Sequence, residues 1–169
     1  MSAITGEPAR ITVRDFQTRK ARGERIVVVT AYDALFGRLV DESGVDAVLV
    51  GDSLGNLLAG FETTLPVTLD QMIYHARSTR AGVKRALLAV DMPFLTYQVS
   101  PRRALVNCGR VMQESGADAV KLEGANENIL AAVRAVTGAG IPVMGHLGFT
   151  PQAVFALGGT RVEARDAEG

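Results

Sequence analysis

The chain holds a single cysteine, Cys108, among its 169 residues, so no internal disulfide framework braces it. It also lacks an excess of charge of either sign, because 18 Lys and Arg are balanced by 18 Asp and Glu. With no basic surplus and no basic tract, neither nucleic acid nor an anionic membrane surface is indicated as a partner. No apolar run approaches the ~20 residues of a membrane span. Residues 1–20 contain no apolar segment of the kind a secretory signal needs. Low-complexity segments are missing, and no domain boundary is visible. What is present is ordinary for one globular domain with a real core: 47% hydrophobic and 21% charged residues. The 18 Gly point to many tight turns. Cys108 shares helical spacing with Ala104, Leu105, Val111 and Met112 and reads as a core thiol. A cytoplasmic enzyme or binding protein is the expected class.

An internal echo organises the rest. Glu42-Ser43-Gly44-Val45-Asp46-Ala47-Val48 returns as Glu114-Ser115-Gly116-Ala117-Asp118-Ala119-Val120, an offset of 114 − 42 = 72 residues. Each copy reads as a helix end, a glycine at the C′ position and a strand start. Two βα units give such an offset, and the remaining chain divides accordingly. A polar amphipathic lead-in spans residues 12–23. Strands are expected at residues 26–30, 47–50, 86–90, 119–123 and 142–145, the first an unbroken β-branched run suited to burial on both faces. Helices are expected near residues 35–43, from 68 to about 80, from 100, and from 126 to about 138. Thr68 and Gln71 form a capping box, and Ser100-Pro101 is an N-cap followed by Pro at N1. Residues 51–67 read as a long loop. Strands alternating with helices imply a parallel sheet. Five strands are legible where a complete barrel has eight, so the pattern describes either an open α/β sheet or a (β/α)8 TIM-type barrel cut after about five strands. Residues 1–169 then form a single incomplete barrel domain whose end, residues 160–169, is a polar tail without an apolar stripe.

The residues at or just past the strands' carboxyl ends are Asp33, Asp52, Asp91, Glu123 and His146. That edge is where parallel sheets carry function. Asp52 and Asp91 each end an apolar run, where an unpaired charge is costly. Glu123 stands two residues from Lys121, on the same side of its strand. Oxygen-only donors suit a hard ion such as Mg2+, and a metal explains how carboxylates crowd without protonating. The competing reading makes these acids solvated loop residues or helix caps, and for Asp33, just before a helix, the cap is preferred. His75, inside a helix, reads as structural. His146 is a possible accessory to the site. Gly51-Asp52-Ser53-Leu54-Gly55 also matches the G-x-S-x-G block of serine hydrolases. That motif requires a strand passing straight into a helix and a base histidine with an acidic orienter, and Gly55, Gly60 and Pro66 interrupt the stretch that follows. No G-x-G-x-x-G or Walker A motif supports nucleotide binding.

Six blocks in register give the chain a family resemblance. Val29-Thr30-Ala31-Tyr32-Asp33, Val50-Gly51-Asp52-Ser53-Leu54-Gly55, Thr64-Leu65-Pro66-Val67-Thr68, Asp91-Met92-Pro93-Phe94, Val120-Lys121-Leu122-Glu123-Gly124 and Gly145-His146-Leu147-Gly148-Phe149-Thr150-Pro151-Gln152 together resemble ketopantoate hydroxymethyltransferase. The resemblance implies a (β/α)8 barrel that transfers a one-carbon unit from 5,10-methylenetetrahydrofolate to 3-methyl-2-oxobutanoate, giving 2-dehydropantoate on the route to pantothenate. It implies Asp52, Asp91 and Glu123 as Mg2+-site acids and Asp52, Ser53, Asp91 and Lys121 as oxo-acid contacts. It further implies a folate co-substrate, a large homo-oligomer, often a decamer, for a full-length chain, and a general-base glutamate on a later strand, beyond residue 169. Glu163 and Glu168 do not match that block. On this reading the 169 residues alone are expected to expose two sheet edges, to be poorly stable and to be inactive. Two alternatives stand beside it: a Mg2+-dependent lyase or mutase of 2-oxo acids on a similar barrel, and a non-catalytic half-barrel that needs a partner chain.

Overall fold

The computed structural model describes residues 9–156 and 158–159; the polar tail at residues 160–169 lies outside them. In chain order the elements are α1 (Val13–Arg22), β1 (Val28–Thr30), α2 (Ala34–Glu42), β2 (Ala47–Val50), α3 (Leu54–Leu57), α4 (Leu69–Gly82), β3 (Leu87–Asp91), α5 (Pro101–Ser115), β4 (Ala119–Glu123), α6 (Glu127–Gly138), β5 (Val143–His146) and a 3-10 turn (Pro151–Ala153). The caps read from sequence are present. The Thr68 hydroxyl accepts from the Gln71 N–H, Gln71 Oε1 accepts from the Thr68 N–H, and Ser100 accepts from the Arg103 N–H with Pro101 opening the helix.

All four strand pairings are parallel, and the order across the sheet is β1-β2-β3-β4-β5. Each strand pairs with its sequence neighbour and no switch of direction occurs. Doubly wound open sheets reverse their order at a switch point, whereas barrels add strands in sequence. The open-sheet alternative therefore falls, and the described residues form a five-stranded portion of a (β/α) barrel. Helices α2, α4, α5 and α6 pack against one another in succession along the sheet.

Alternation sorts the strands into two faces. Val48, Val50, Leu88, Val90, Val120 and Leu122 are buried in the main core. Met72, Ile73 and Ala76 of α4 fill that core with Cys108 and Val111 of α5 and Ile129, Ala132 and Val136 of α6. Burial pushes the Cys108 thiol up to about 12, as befits an inert core residue. The opposite face carries smaller side chains, with Ala47, Leu87, Ala89 and Ala119 clustered against Ile11 and, more loosely, Phe16, Leu49 and Met144.

The internal echo has a structural explanation. Asp46 donates its N–H to Val27 O and takes the Val27 N–H on Oδ2 at 2.9 Å. Asp118 does the same to Leu88, donating to its carbonyl and accepting its N–H at 2.9 Å. Each carboxylate is then held by arginine: Arg19 for Asp46, Arg10 and Arg80 for Asp118. Gly44 and Gly116, two residues earlier, take φ of +90° and +73°, a conformation open to glycine at little cost. The repeated aspartate is thus a lock between a strand start and the preceding strand.

Two expectations need correction. The first strand is shorter than residues 26–30 and is exposed throughout Val28–Thr30. It is an edge, paired only with β2 among the described residues, so its β-branched run is not buried on both faces. The stretch at residues 51–67 is not all loop, because α3 closes directly behind β2.

Candidate active site at the carboxyl ends of the strands

Asp91 and Glu123 are the last residues of β3 and β4, and Asp52 lies two residues beyond β2. All three are buried, at 3%, 5% and 3% exposure. Strand register brings their partners opposite them. Asp91 pairs across with Lys121, and Glu123 with His146. Lys121 Nζ accordingly sits 2.6 Å from Asp91 Oδ1 and 3.3 Å from Glu123 Oε1, while His146 Nδ1 lies 3.0 Å from the same Glu123 oxygen. The Asp52 N–H donates to Asp91 Oδ2 at 3.3 Å. Gly51 permits that approach, since a Cβ there would lie 2.8 Å from Ser53 Oγ and 3.4 Å from Asp91 Oδ2.

Burial pushes the Asp91 carboxyl up to about 6, with Lys121 opposing. Burial raises Asp52 as well, opposed chiefly by its hydrogen bond from Gln152. For Lys121 burial works against the charge, but the carboxylates of Asp91 and Glu123 outweigh it and lift the pKa. Three carboxylates against one ammonium leave this buried group at a formal charge of −3 + 1 = −2 when all are ionised.

Several groups that sequence reasoning did not nominate also belong to the site. Tyr97 is fully buried, with burial raising its pKa; its OH lies 2.9 Å from Gln152 Oε1 and takes the Glu123 N–H at 3.1 Å. Gln152, in the 3-10 turn, donates from Nε2 to Asp52 Oδ2 and Met92 O, both at 2.9 Å. Tyr32 OH and Ser53 Oγ are 2.9 Å apart. The Thr64 hydroxyl lies near enough to Asp52 to favour its ionised form, yet Thr64 Oγ1 is buried and has no hydrogen-bond partner among the described residues. Gln152 and Thr64 stood inside the resemblance blocks without an assigned role; Tyr97 had no sequence signal, because only the turn after β3 folds it back. Leu95, in that turn, takes φ +61°, a conformation that costs a non-glycine residue roughly 1–2 kcal/mol.

Other sequence-based readings resolve plainly. Asp33 is the N-cap of α2, accepting from the Phe36 N–H at 2.8 Å. His75 Nδ1 lies 2.8 Å from Tyr32 O, a structural contact. Ser53 meets Tyr32 rather than a histidine, so no hydrolase dyad forms there. A cavity of about 1030 Å3 lies at the other end of the strands. It is lined by Arg10, Arg38, Arg77, Arg80, Lys84 and Arg85, where α2 and α4 end. Arg80 and Arg85 donate there to the carbonyls of Val83 and Val45, and basic groups offset helix C-termini.

The acid group fits a hard divalent cation in chemistry. Its donors are oxygens, its charge is −2, and the orphaned Thr64 hydroxyl adjoins it. Among the described residues, no three Asp, Glu, His or Cys side chains stand close enough to ligate one ion by themselves. Mg2+ commonly takes one or two carboxylates and completes its shell with substrate and water. Asp52 and Asp91 adjoin each other, while Glu123 is engaged with Lys121 and His146.

Fold and site together define a parallel (β/α)-barrel chain with an acid-lined site at its strand ends. Solved structures share the fold. A phosphonopyruvate hydrolase, solved with oxalate and Mg2+, superposes with a TM-score of 0.66 at 13% identity, over 83% of this chain and 52% of that one. A 2,3-dimethylmalate lyase of the PEP mutase/isocitrate lyase superfamily gives 0.60 at 17% identity, over 82% and 53%. The sequence is far more specific. Residues 10–169 match the ketopantoate hydroxymethyltransferase family model, and the chain belongs to that family. It is 49% identical over 168 residues to the 3-methyl-2-oxobutanoate hydroxymethyltransferase of Flavobacterium johnsoniae, covering 99% of this chain and 61% of that one. The Trichodesmium erythraeum enzyme of the same name is 52% identical over 149 residues, 88% and 57%. The chain thus spans about three fifths of the length of these curated relatives. Their membership, not the fold likeness, separates the transferase family from the lyase and mutase alternative.

Proposed function

We propose that this chain carries the metal- and oxo-acid-binding part of a hydroxymethyltransferase that moves a one-carbon unit from 5,10-methylenetetrahydrofolate to 3-methyl-2-oxobutanoate, giving 2-dehydropantoate for pantothenate synthesis. The observation that supports it is the row of buried acids Asp52, Asp91 and Glu123 with the half-buried Lys121 among them, a formal charge of −2, in a chain of this family.

Asp52, Asp91 and Glu123 form the acid group that would hold Mg2+, Asp52 and Asp91 as its direct ligands and Glu123, engaged by Lys121 and His146, beside them. The ion's contribution is Lewis-acid polarisation of the 2-oxo carbonyl, which acidifies the neighbouring C3–H. Lys121, pinned between Asp91 and Glu123, places a fixed positive charge where the oxo acid's carboxylate, or the negative charge developing on its carbonyl oxygen, is stabilised. Ser53, steadied by Tyr32, offers a hydroxyl to the oxo acid. Leu57 at the end of α3, and Leu95 and Leu147 in the segments after β3 and β5, are exposed apolar side chains beyond the strands' carboxyl ends, suited to a flat pteridine ring. His146 is an accessory that holds Glu123 in place. The base that removes the C3 proton is not assigned to a residue of this chain. The metal, the folate co-substrate, a cytoplasmic setting and a homo-oligomeric assembly all belong to this proposal. No helix among the described residues is long and apolar enough to cross a membrane.

The test is calorimetric titration of 3-methyl-2-oxobutanoate with and without Mg2+. Asp91→Asn in the full-length protein is expected to lower metal-dependent oxo-acid affinity by at least ~10-fold. Unchanged binding in that variant sinks the assignment. Product formation that does not require the folate would return the lyase reading.

A further inference from the structure

We propose that Gln152 is a positioning residue of the acid site, its side-chain amide holding the Asp52 carboxylate and its main-chain N–H the Glu123 carboxylate in the orientations that receive a divalent cation. This rests on the metal reading above. Gln152 follows β5 but reaches the ends of three other strands. Nε2 donates to Asp52 Oδ2 after β2 and to Met92 O after β3, both at 2.9 Å. Its N–H lies 3.4 Å from Glu123 Oε2 at the end of β4. Oε1 is met by Tyr97 OH and Gln98 Nε2, each at 2.9 Å.

A primary amide has two donor hydrogens and two acceptor lone pairs, and all four are used here at 6% exposure. That saturation fixes which way the amide points. Turned over, Oε1 would face Asp52 Oδ2 and Met92 O, acceptor against acceptor, while its NH2 would crowd the Gln98 amide. Tyr97 and Gln98 therefore hold Gln152, and Gln152 holds Asp52. The choice of a neutral donor matters as much as its geometry. Lys or Arg in its place would cancel charge in a buried group of formal charge −2. The amide restrains Asp52 while leaving its negative charge for a cation. Hydrogen-bonded partners of metal-ligating carboxylates tune affinity in this way.

The alternative is that Gln152 only pins the loop after β5. Divalent-ion binding to the full-length protein separates the two, measured for Mg2+ by calorimetry and for Mn2+ by its paramagnetic resonance spectrum, alongside metal-free thermal denaturation. Gln152→Met keeps the length and loses every polar contact of the side chain. It is expected to weaken both ions on the order of 10- to 100-fold and to broaden the Mn2+ spectrum. Tyr97→Phe removes one of the two groups that orient the amide and is expected to move both readings in the same direction by less. A folded Gln152→Met protein with wild-type metal affinity and spectrum overturns the inference and leaves a loop pin. If Gln152→Met does not fold, Tyr97→Phe decides, and unchanged affinity and spectrum in it overturn the inference. Absence of Mg2+ and Mn2+ binding in the wild type removes the metal reading itself, and this inference with it.

Discussion

Asp91 and Asp41 are both buried aspartates, and their surroundings move them in opposite directions. Asp91 faces a site with more carboxylates than cations, and burial lifts it to about 6. Asp41, at the end of α2, accepts from the N–H groups of Lys84, Arg85 and Ala86 before β3. Burial opposes its charge, but those donors outweigh it and lower the pKa. The linkage signs follow. A folded pKa above the unfolded value of about 3.9 means the native state binds the Asp91 proton more tightly. Its contribution to stability is fully present below about pH 4 and is lost as pH rises through about 6. Asp41 contributes stability that is present above its unfolded pKa and lost as pH falls through the lowered folded one. Chemical denaturation of the metal-free protein should show both. Asp91→Asn is expected to flatten the stability profile between about pH 4 and 6, and Asp41→Asn to flatten it below about pH 4. Wild-type profiles in both variants would contradict these assignments. Sequence placed Asp52, Asp91 and Glu123 at strand ends, but the partners that set their ionisation, Lys121 across a register and Gln152 one hundred residues from Asp52, depend on how strands align.

Between elements, the crossing of α2 and α4 sets the path of the chain below the site. Gly82 lets the helices touch, because a Cβ there would fall 2.1 Å from Ala34 O and 2.7 Å from the Arg38 N–H. Gly37 makes the matching approach from α2, where a Cβ would meet Thr79 O at 2.8 Å. Backbone cannot step aside as a flexible side chain can. Gly82→Ala is expected to cost about 1–3 kcal/mol, despite alanine's better helix propensity, by forcing the helices apart. The denaturation midpoint checks it, and a stabilised variant would show that the crossing yields. The helix caps and the glycine at each echo were legible because they act within a few residues. Neither helix–helix glycine carried a signal of its own, since what it makes room for lies more than forty residues away.

At the scale of the molecule, the described residues form a row of strands with two ends. β1 pairs only with β2 there, and β5 only with β4. Val27, Val28 and Val29 are exposed near α2, whose Leu35, Phe36 and Leu39 are exposed as well. An apolar surface beside a free strand edge is a template for association. The 169-residue polypeptide prepared by itself is therefore expected to self-associate, with a sedimentation coefficient that rises with concentration. A concentration-independent monomer would show that the edge is protected. Some two fifths of these relatives' length lies outside the match, so the same measurement on a full-length member of the family is the natural control.

The βα alternation, the five strands, the caps and the three acids at strand ends were legible from residue order alone, because hydrophobic period, turn glycines and capping pairs are local signals and because six motif blocks stand in one register. The three-dimensional arrangement was needed to show that the strands follow one another as in a barrel rather than an open sheet, that the first strand is an exposed edge, and that the echoed aspartates are locks between strands. It also decided the inner arrangement of the site, in which Tyr97 and Gln152 close on the acids. The reason is physical: pairing order, register and the meeting of side chains from different loops depend on residues far apart in the chain, and no local pattern encodes the distance between them.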